Sequence, residues 1–82
     1  MEVVINLLNS IYSSNPNTTF LDLEFSQITS ISPILSYFSN FKCLQQMSLH
    51  GNRLTELPED LSILSNLEEL DITNNLIQKV FI

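Results

Sequence analysis

One cysteine and one histidine are the whole stock of thiol and imidazole in these 82 residues, which bounds the reactions open to the chain. A nucleophile must lie beside a base. Cys43 falls at the end of a helical segment, whereas His50 falls on the following strand and faces the other way. A structural zinc site needs four donors, which one Cys and one His do not supply. With Gly51 as the single glycine, no glycine-rich phosphate loop can form. No catalytic, cofactor-binding or metal-binding residues are therefore expected. What remains is a set of acids, Asp22, Glu24, Glu69 and Asp71, and two amides, Asn52 and Asn75.

The elements that position them are set by an internal repeat. Leu44, Met47, Leu49, Asn52 and Leu54 recur 23 residues later as Leu67, Leu70, Ile72, Asn75 and Ile77. A period of about 20–29 residues built on L-x-x-L-x-L-x-x-N-x-L is the signature of a stack in which each unit supplies one strand and one return segment. A looser copy precedes it, with Leu21, Leu23, Ser26 and Ile28 in the same places. The repeats run over 18–43, 44–66 and an unfinished 67–82. Asn52 and Asn75 sit where the chain leaves the strand. There an amide can donate to and accept from backbone groups of neighbouring units. Ser26 is a shorter substitute, so this ladder is expected to be weaker in the first repeat.

Alternation around Met47 and Leu49 buries one face of the strand and turns the other outward. Stacked in register, the outward residues form three columns: Phe20, Gln46, Glu69; Asp22, Ser48, Asp71; and Glu24, His50, Thr73. Strands about 4.8 Å apart would put Asp22 and Asp71 roughly 10 Å from each other across Ser48. Two readings of the four acids stay open: a docking stripe for Lys or Arg of a partner, or a solvated face that keeps an apolar chain soluble. His50 would have Glu24 as column neighbour, a weak basis for pH sensing. Phe20 and Phe25 are candidate anchors. Packing of the degenerate first repeat against the N-terminal helix is nevertheless expected to take one or both into the core.

The return segments are equally legible. Pro58 suits the first position of a helical turn, Glu59 and Asp60 meet its positive end, and Leu57, Leu61 and Leu64 face inward. In the longer first repeat, Ile34 or Leu35, Phe38 and Phe41 have helical spacing, which predicts a longer helix there. Val4, Leu7, Leu8 and Ile11 mark an amphipathic helix within 3–12, ending before Pro16. Residues 1–17 are expected to cap the stack with a polar outer face.

Nine acids against three bases leave a net charge of −6, which disfavours nucleic acid and anionic membranes and suits a basic protein partner. A lone cysteine forms no intrachain disulfide, which points to a reducing, cytoplasmic compartment. The Asn17-Thr18-Thr19 sequon would then be accidental. The start has no basic n-region, and no apolar run reaches the roughly 20 residues of a membrane span.

Leu57-Pro58-x-x-Leu61-x-x-Leu64-x-x-Leu67-x-x-Leu70-x-Ile72-x-x-Asn75 resembles the intracellular leucine-rich repeat family, especially the repeats of Ras-pathway scaffolds and polarity proteins. Ile28-x-x-Ile31-Ser32-Pro33-Ile34 looks more like the repeats of the leucine-rich regulatory subunit of protein phosphatase 1. The resemblance implies an α/β right-handed solenoid, a short horseshoe with parallel strands on its concave side, and a role in binding proteins. Ser26 for Asn and Thr18 for the leading Leu are departures from the pattern. The expected function is a non-catalytic interaction module that uses the concave residues. The alternatives are an assembly subunit, or a regulatory subunit of a phosphatase or small GTPase. The apolar run Val80-Phe81-Ile82 leaves an edge that calls for a cover: more sequence, a second copy or a partner.

Overall fold

The structure is a computed structural model that describes residues 1–77. Helix α1 spans Glu2–Ser14, and strand β1 follows at Phe20–Asp22. A 3-10 turn, Ser32–Ile34, runs into helix α2, Leu35–Ser39. Strand β2 is Gln46–Ser48, a second 3-10 helix is Glu59–Ile63, and strand β3 is Glu69–Asp71. The strands form one parallel sheet in the order β1-β2-β3.

The repeat-derived register is the observed one. Phe20 pairs with Gln46 and Gln46 with Glu69; Asp22 pairs with Ser48 and Ser48 with Asp71. Backbone bonding continues past the strand ends in the same step. The amide of Phe25 donates to the His50 carbonyl and that of Gly51 to the Thr73 carbonyl, each at 3.0 Å. Thr19 O accepts from both Gln45 and Gln46, just as Gln45 O accepts from Glu68 and Glu69. Thr18 and Thr19 thus take up the repeat pattern although they lack its leucine.

Leu21, Leu23, Met47 and Leu49 are buried beneath the sheet, in one core with Ile28, Ile31, Ile34 and Leu54. The extra length of the first repeat holds α2, whose Phe38 is completely buried. Ile34, Leu35 and Phe41 join it, so both residues of the Ile34-or-Leu35 alternative are core. Replacing a phenylalanine so placed by alanine costs about 3–5 kcal/mol. The second return is shorter and 3-10. Pro58 stands just outside it, with φ −71° and ψ 147°, rather than at its first position. Its extended ψ leaves the turn to begin at Glu59. Leu64 is buried, while Leu57 and Leu61 are half-buried against the core.

Helix α1 is longer than its periodicity predicts and slightly rotated. Val4 and Leu8 are buried, Ile5 and Ile11 pack partly against the core, and Leu7, expected inside, is 44% exposed. Tyr12 meets the ring of Phe41 edge-on at 5.5 Å, a contact worth about 0.5–1.5 kcal/mol beyond burial.

The corners where the chain leaves each strand share one backbone feature. Phe25, Gly51 and Asn74 occupy equivalent places and all are left-handed, with φ of 52°, 74° and 54°. The following residue is Ser26, Asn52 or Asn75. Asn52 is buried and makes four bonds: its Oδ1 accepts from the amides of Ser26 and Ile28, and its Nδ2 donates to the carbonyls of Leu23 and Leu49. Asn75 Oδ1 accepts from the Leu54 amide, and its Nδ2 donates to the carbonyls of Leu49, Ile72 and Thr73. Ser26 reaches only the carbonyl of Glu24, at 3.3 Å. The ladder is weakest at the first repeat, as the shorter side chain predicts.

Candidate protein-interaction face

Six of the nine outward residues lie in the strands and Glu24, His50 and Thr73 lie just past their ends, and they are not equally open. Phe20, Asp22, Glu24, Gln46, Glu69, Asp71 and Thr73 are exposed, and His50 is half-buried. Ser48 is a correction: at 6% exposure it is buried. It lies on the middle strand with a side chain too short to rise between its neighbours, and its hydroxyl donates to Glu24 Oε1 at 3.2 Å. Phe20 and Phe25 correct the expectation of burial, being 49% and 68% exposed. Phe20 points outward from an edge strand, and the left-handed backbone at Phe25 carries its ring out of the corner.

Asp22 and Asp71 play the same local part. Each accepts at Oδ1 from the amide two residues on, Glu24 at 3.1 Å and Thr73 at 2.9 Å, closing the turn at its strand's exit. The Thr73 hydroxyl also donates to Asp71 Oδ1, at 2.6 Å. These two bonds from Thr73, side chain first, hold the Asp71 carboxyl below the usual carboxylate range, with a smaller contribution from His50.

His50 does not meet the carboxylate of Glu24, which is turned toward Ser48. Its Nδ1 lies 2.6 Å from Thr73 Oγ1, its Nε2 lies 3.4 Å from Asn74 Nδ2, and its ring meets that of Phe25 edge-on at 5.2 Å. With the Thr73 hydroxyl donated to Asp71, neutral His50 is satisfied as an Nδ1–H donor and Nε2 acceptor. Glu24 keeps its place beside His50 in the third column, with its carboxylate bonded to Ser48. Gln46 Nε2 donates to Glu69 Oε2 at 3.3 Å along the first column.

Phe20, Glu24, Gln46, Ser48, Glu69 and Asp71 line a shallow hollow of about 250 Å³. Its lining includes one aromatic ring and three carboxylates, and the nine outward positions include no Lys or Arg. Such a face can accept a cation or donor from a partner. Cys43 is exposed, and its thiol faces Asn17 Oδ1 at 3.9 Å, away from His50. Among the described residues no group of three or more His, Cys, Asp or Glu is arranged to hold a metal ion, and no helix is long and apolar enough to cross a membrane.

The left-handed corners escaped the sequence reading, although a signal was present: Gly51-Asn52 and Asn74-Asn75 put the two residue types that best tolerate φ above zero immediately before each ladder position. Phe25 carries no such signal.

The parallel strands, the return helices and the asparagine corners together define an α/β leucine-rich repeat fold. A leucine-rich repeat family model matches residues 16–77, and the chain belongs to that family. Tsukushi-A of Xenopus laevis is 38% identical over 76 residues, covering 89% of this chain and 21% of that protein. Human leucine-rich repeat-containing protein 51 is 38% identical over 61 residues, covering 72% of this chain and 30% of that protein. An adenylate cyclase of Schizosaccharomyces pombe is 28% identical over 94 residues, only 6% of its length. The chain thus spans less than a third of each of these curated relatives. No solved structure matches it. Leucine-rich repeat domains generally mediate protein–protein interaction.

Proposed function

We propose that this chain is a non-catalytic protein-interaction module that binds a basic partner segment on the outward face of its three strands, the concave side of a short solenoid capped by residues 1–17. The observation that carries this is the conjunction of Phe20, half exposed, with Asp22, Glu24, Glu69 and Asp71 on one face whose outward positions hold no Lys or Arg. Charge complementarity of this kind speeds encounter and excludes wrong partners more than it adds affinity. Asp71 is displaced toward the charged form by the two bonds it accepts from Thr73.

Because Asp22 and Asp71 each use Oδ1 to close a turn, the informative change is Asp to Asn, which removes the charge and keeps that acceptor. The double variant Asp22→Asn, Asp71→Asn should retain the native circular dichroism spectrum and lose most of the proteins that the immobilised chain captures from a lysate at low salt. Capture that is unchanged in amount and in salt dependence would remove the acidic stripe from the account.

A second reading rests on β3. Leu70 and Ile72 are only half-buried, whereas their counterparts Met47 and Leu49 are at 2% and 0% exposure. On this reading the third unit is completed by a further copy of the chain. The expected apolar edge at Val80-Phe81-Ile82 lies outside the described residues. Sedimentation equilibrium over a concentration series separates the two readings, since an assembly subunit must self-associate and an interaction module need not.

A further inference from the structure

Beside the strand face lies a second hollow, of about 500 Å³, between α1 and the first corner. Met1, Val3 and Leu7 form one wall; Phe25, Ser26 and Gln27 form the other. No charged side chain lines it, and its apolar residues are unusually open, with Val3 82% and Phe25 68% exposed. Phe25 and Gln27 both stand in the left-handed region, φ 52° and 59°, which disfavours residues of their kind. An aromatic held there, with one side of its ring against Gly51 and His50 and most of its surface open to solvent, satisfies neither the backbone nor the core. Local rules broken in this way cluster at binding sites.

The two hollows are neighbours. Glu24 lines the strand-face hollow and Phe25, the next residue in the chain, lines the other. The Phe25 ring also rests edge-on against His50, a member of the third column. We infer that the two hollows form one bipartite site for a single partner peptide, which places a Lys or Arg over the strand face and a neighbouring aliphatic or aromatic side chain between Phe25 and Leu7. The occupant follows from charge and polarity: carboxylates without a basic neighbour in the first hollow, and in the second the open apolar side chains of Val3, Leu7 and Phe25 beside the uncharged Ser26 and Gln27. This rests on the strand-face reading proposed above and adds to it the partner's second determinant.

The test is a random peptide library displayed on phage, selected against the full chain, with the enriched peptide then measured by fluorescence anisotropy. Enriched peptides should carry a Lys or Arg and a large apolar residue at constant spacing. Phe25→Asn should weaken binding about tenfold or more, as loss of an anchor residue does. Asparagine tolerates the left-handed corner better than phenylalanine, so a loss cannot be ascribed to backbone damage. Leu7→Gln, at an exposed helix position, should weaken binding as well.

Peptides that respond to Asp22→Asn, Asp71→Asn but not to Phe25→Asn or Leu7→Gln would overturn the bipartite site and leave the strand-face reading standing. Peptides indifferent to the aspartate changes would overturn both. A dimer in sedimentation that Phe25→Asn disperses would make a second copy the occupant, against the inference.

Discussion

The corner at Gly51-Asn52 and the corner at Phe25-Ser26 hold the same place in successive repeats and solve the same backbone problem with opposite means. At the second corner a glycine takes the left-handed conformation at little cost, and a buried asparagine satisfies four backbone groups. At the first, a phenylalanine is forced into that conformation and a serine satisfies one carbonyl weakly. The first corner keeps its shape because Asn52 reaches across to it and accepts from the amides of Ser26 and Ile28. The ladder therefore works between repeats as much as within them: the well-formed corner holds the irregular one in place. The irregular corner is then free to present a ring that the core does not need.

Removing the support should have the largest effect. Asn52→Ala takes away the partner of the Ser26 and Ile28 amides and of the Leu23 carbonyl, at about 1–3 kcal/mol for each group left unsatisfied, while the Leu49 carbonyl keeps its bond from Asn75. A chain of this size is stable by only about 4–12 kcal/mol, so urea denaturation should find the variant near or beyond unfolding. Ser26→Ala, by contrast, should change stability by less than about 0.5 kcal/mol. Equal losses from the two variants would erase the distinction between the corners.

A smaller effect is expected from crossing the two backbones. Gly51→Ala places a Cβ against the Phe25 ring and puts a side chain at φ +74°. The conformation alone costs about 1–2 kcal/mol and the overlap adds to it. In the background of Phe25→Asn the ring is gone, so the same substitution should cost only the conformational part. A double-mutant cycle by chemical denaturation measures the difference. Phe25→Asn alone should raise stability by about 0.5–1 kcal/mol, because asparagine is less strained in the left-handed region. A destabilised Phe25→Asn would mean that the ring is structural after all.

The smallest effect belongs to the third unit, where Asp71 closes its turn with help that Asp22 lacks. Its carboxyl is held below the ordinary value in the folded chain. Its contribution to stability is therefore present above the unfolded-state pKa of about 3.9 and is lost as pH falls through the lower folded value. Thr73→Val removes the hydroxyl donor, which is the largest cause, and keeps the amide donor, so Asp71 should titrate at higher pH than in the native chain. Carboxyl-detected NMR titration reads this directly, and an unmoved Asp71 would assign the shift to the backbone bond or to His50.

Much of the architecture was legible because the repeat writes it twice. The spacing of Met47 and Leu49 against Leu70 and Ile72 is enough to set parallel strands in the observed register, and Phe38 and Phe41 announced the longer first return. Asn52 and Asn75 were readable as ladder residues from their position alone. The candidate face was legible as a list of nine column positions, but not the coverage and pairing of its side chains and of the neighbouring Phe25. Ser48 is covered, Phe25 is open and Glu24 turns from His50 to Ser48. None of these follows from spacing, since each depends on the height and rotamer of a neighbour one repeat away.

By itself, then, the sequence determined the unit: strand, corner, return, and the step from one copy to the next. These are consequences of local periodicity and of an amide that must be placed where backbone groups turn inward. Only the tertiary structure decided which members of the outward columns reach solvent, which carboxylates are tied to their own turns, and that an exposed phenylalanine and an exposed face of α1 border one hollow. The physical reason is separation. Repeats place backbone atoms by a rule that acts within one unit, whereas coverage, hydrogen-bond partners and grooves are set by side chains that are distant in the chain and meet only when the units stack.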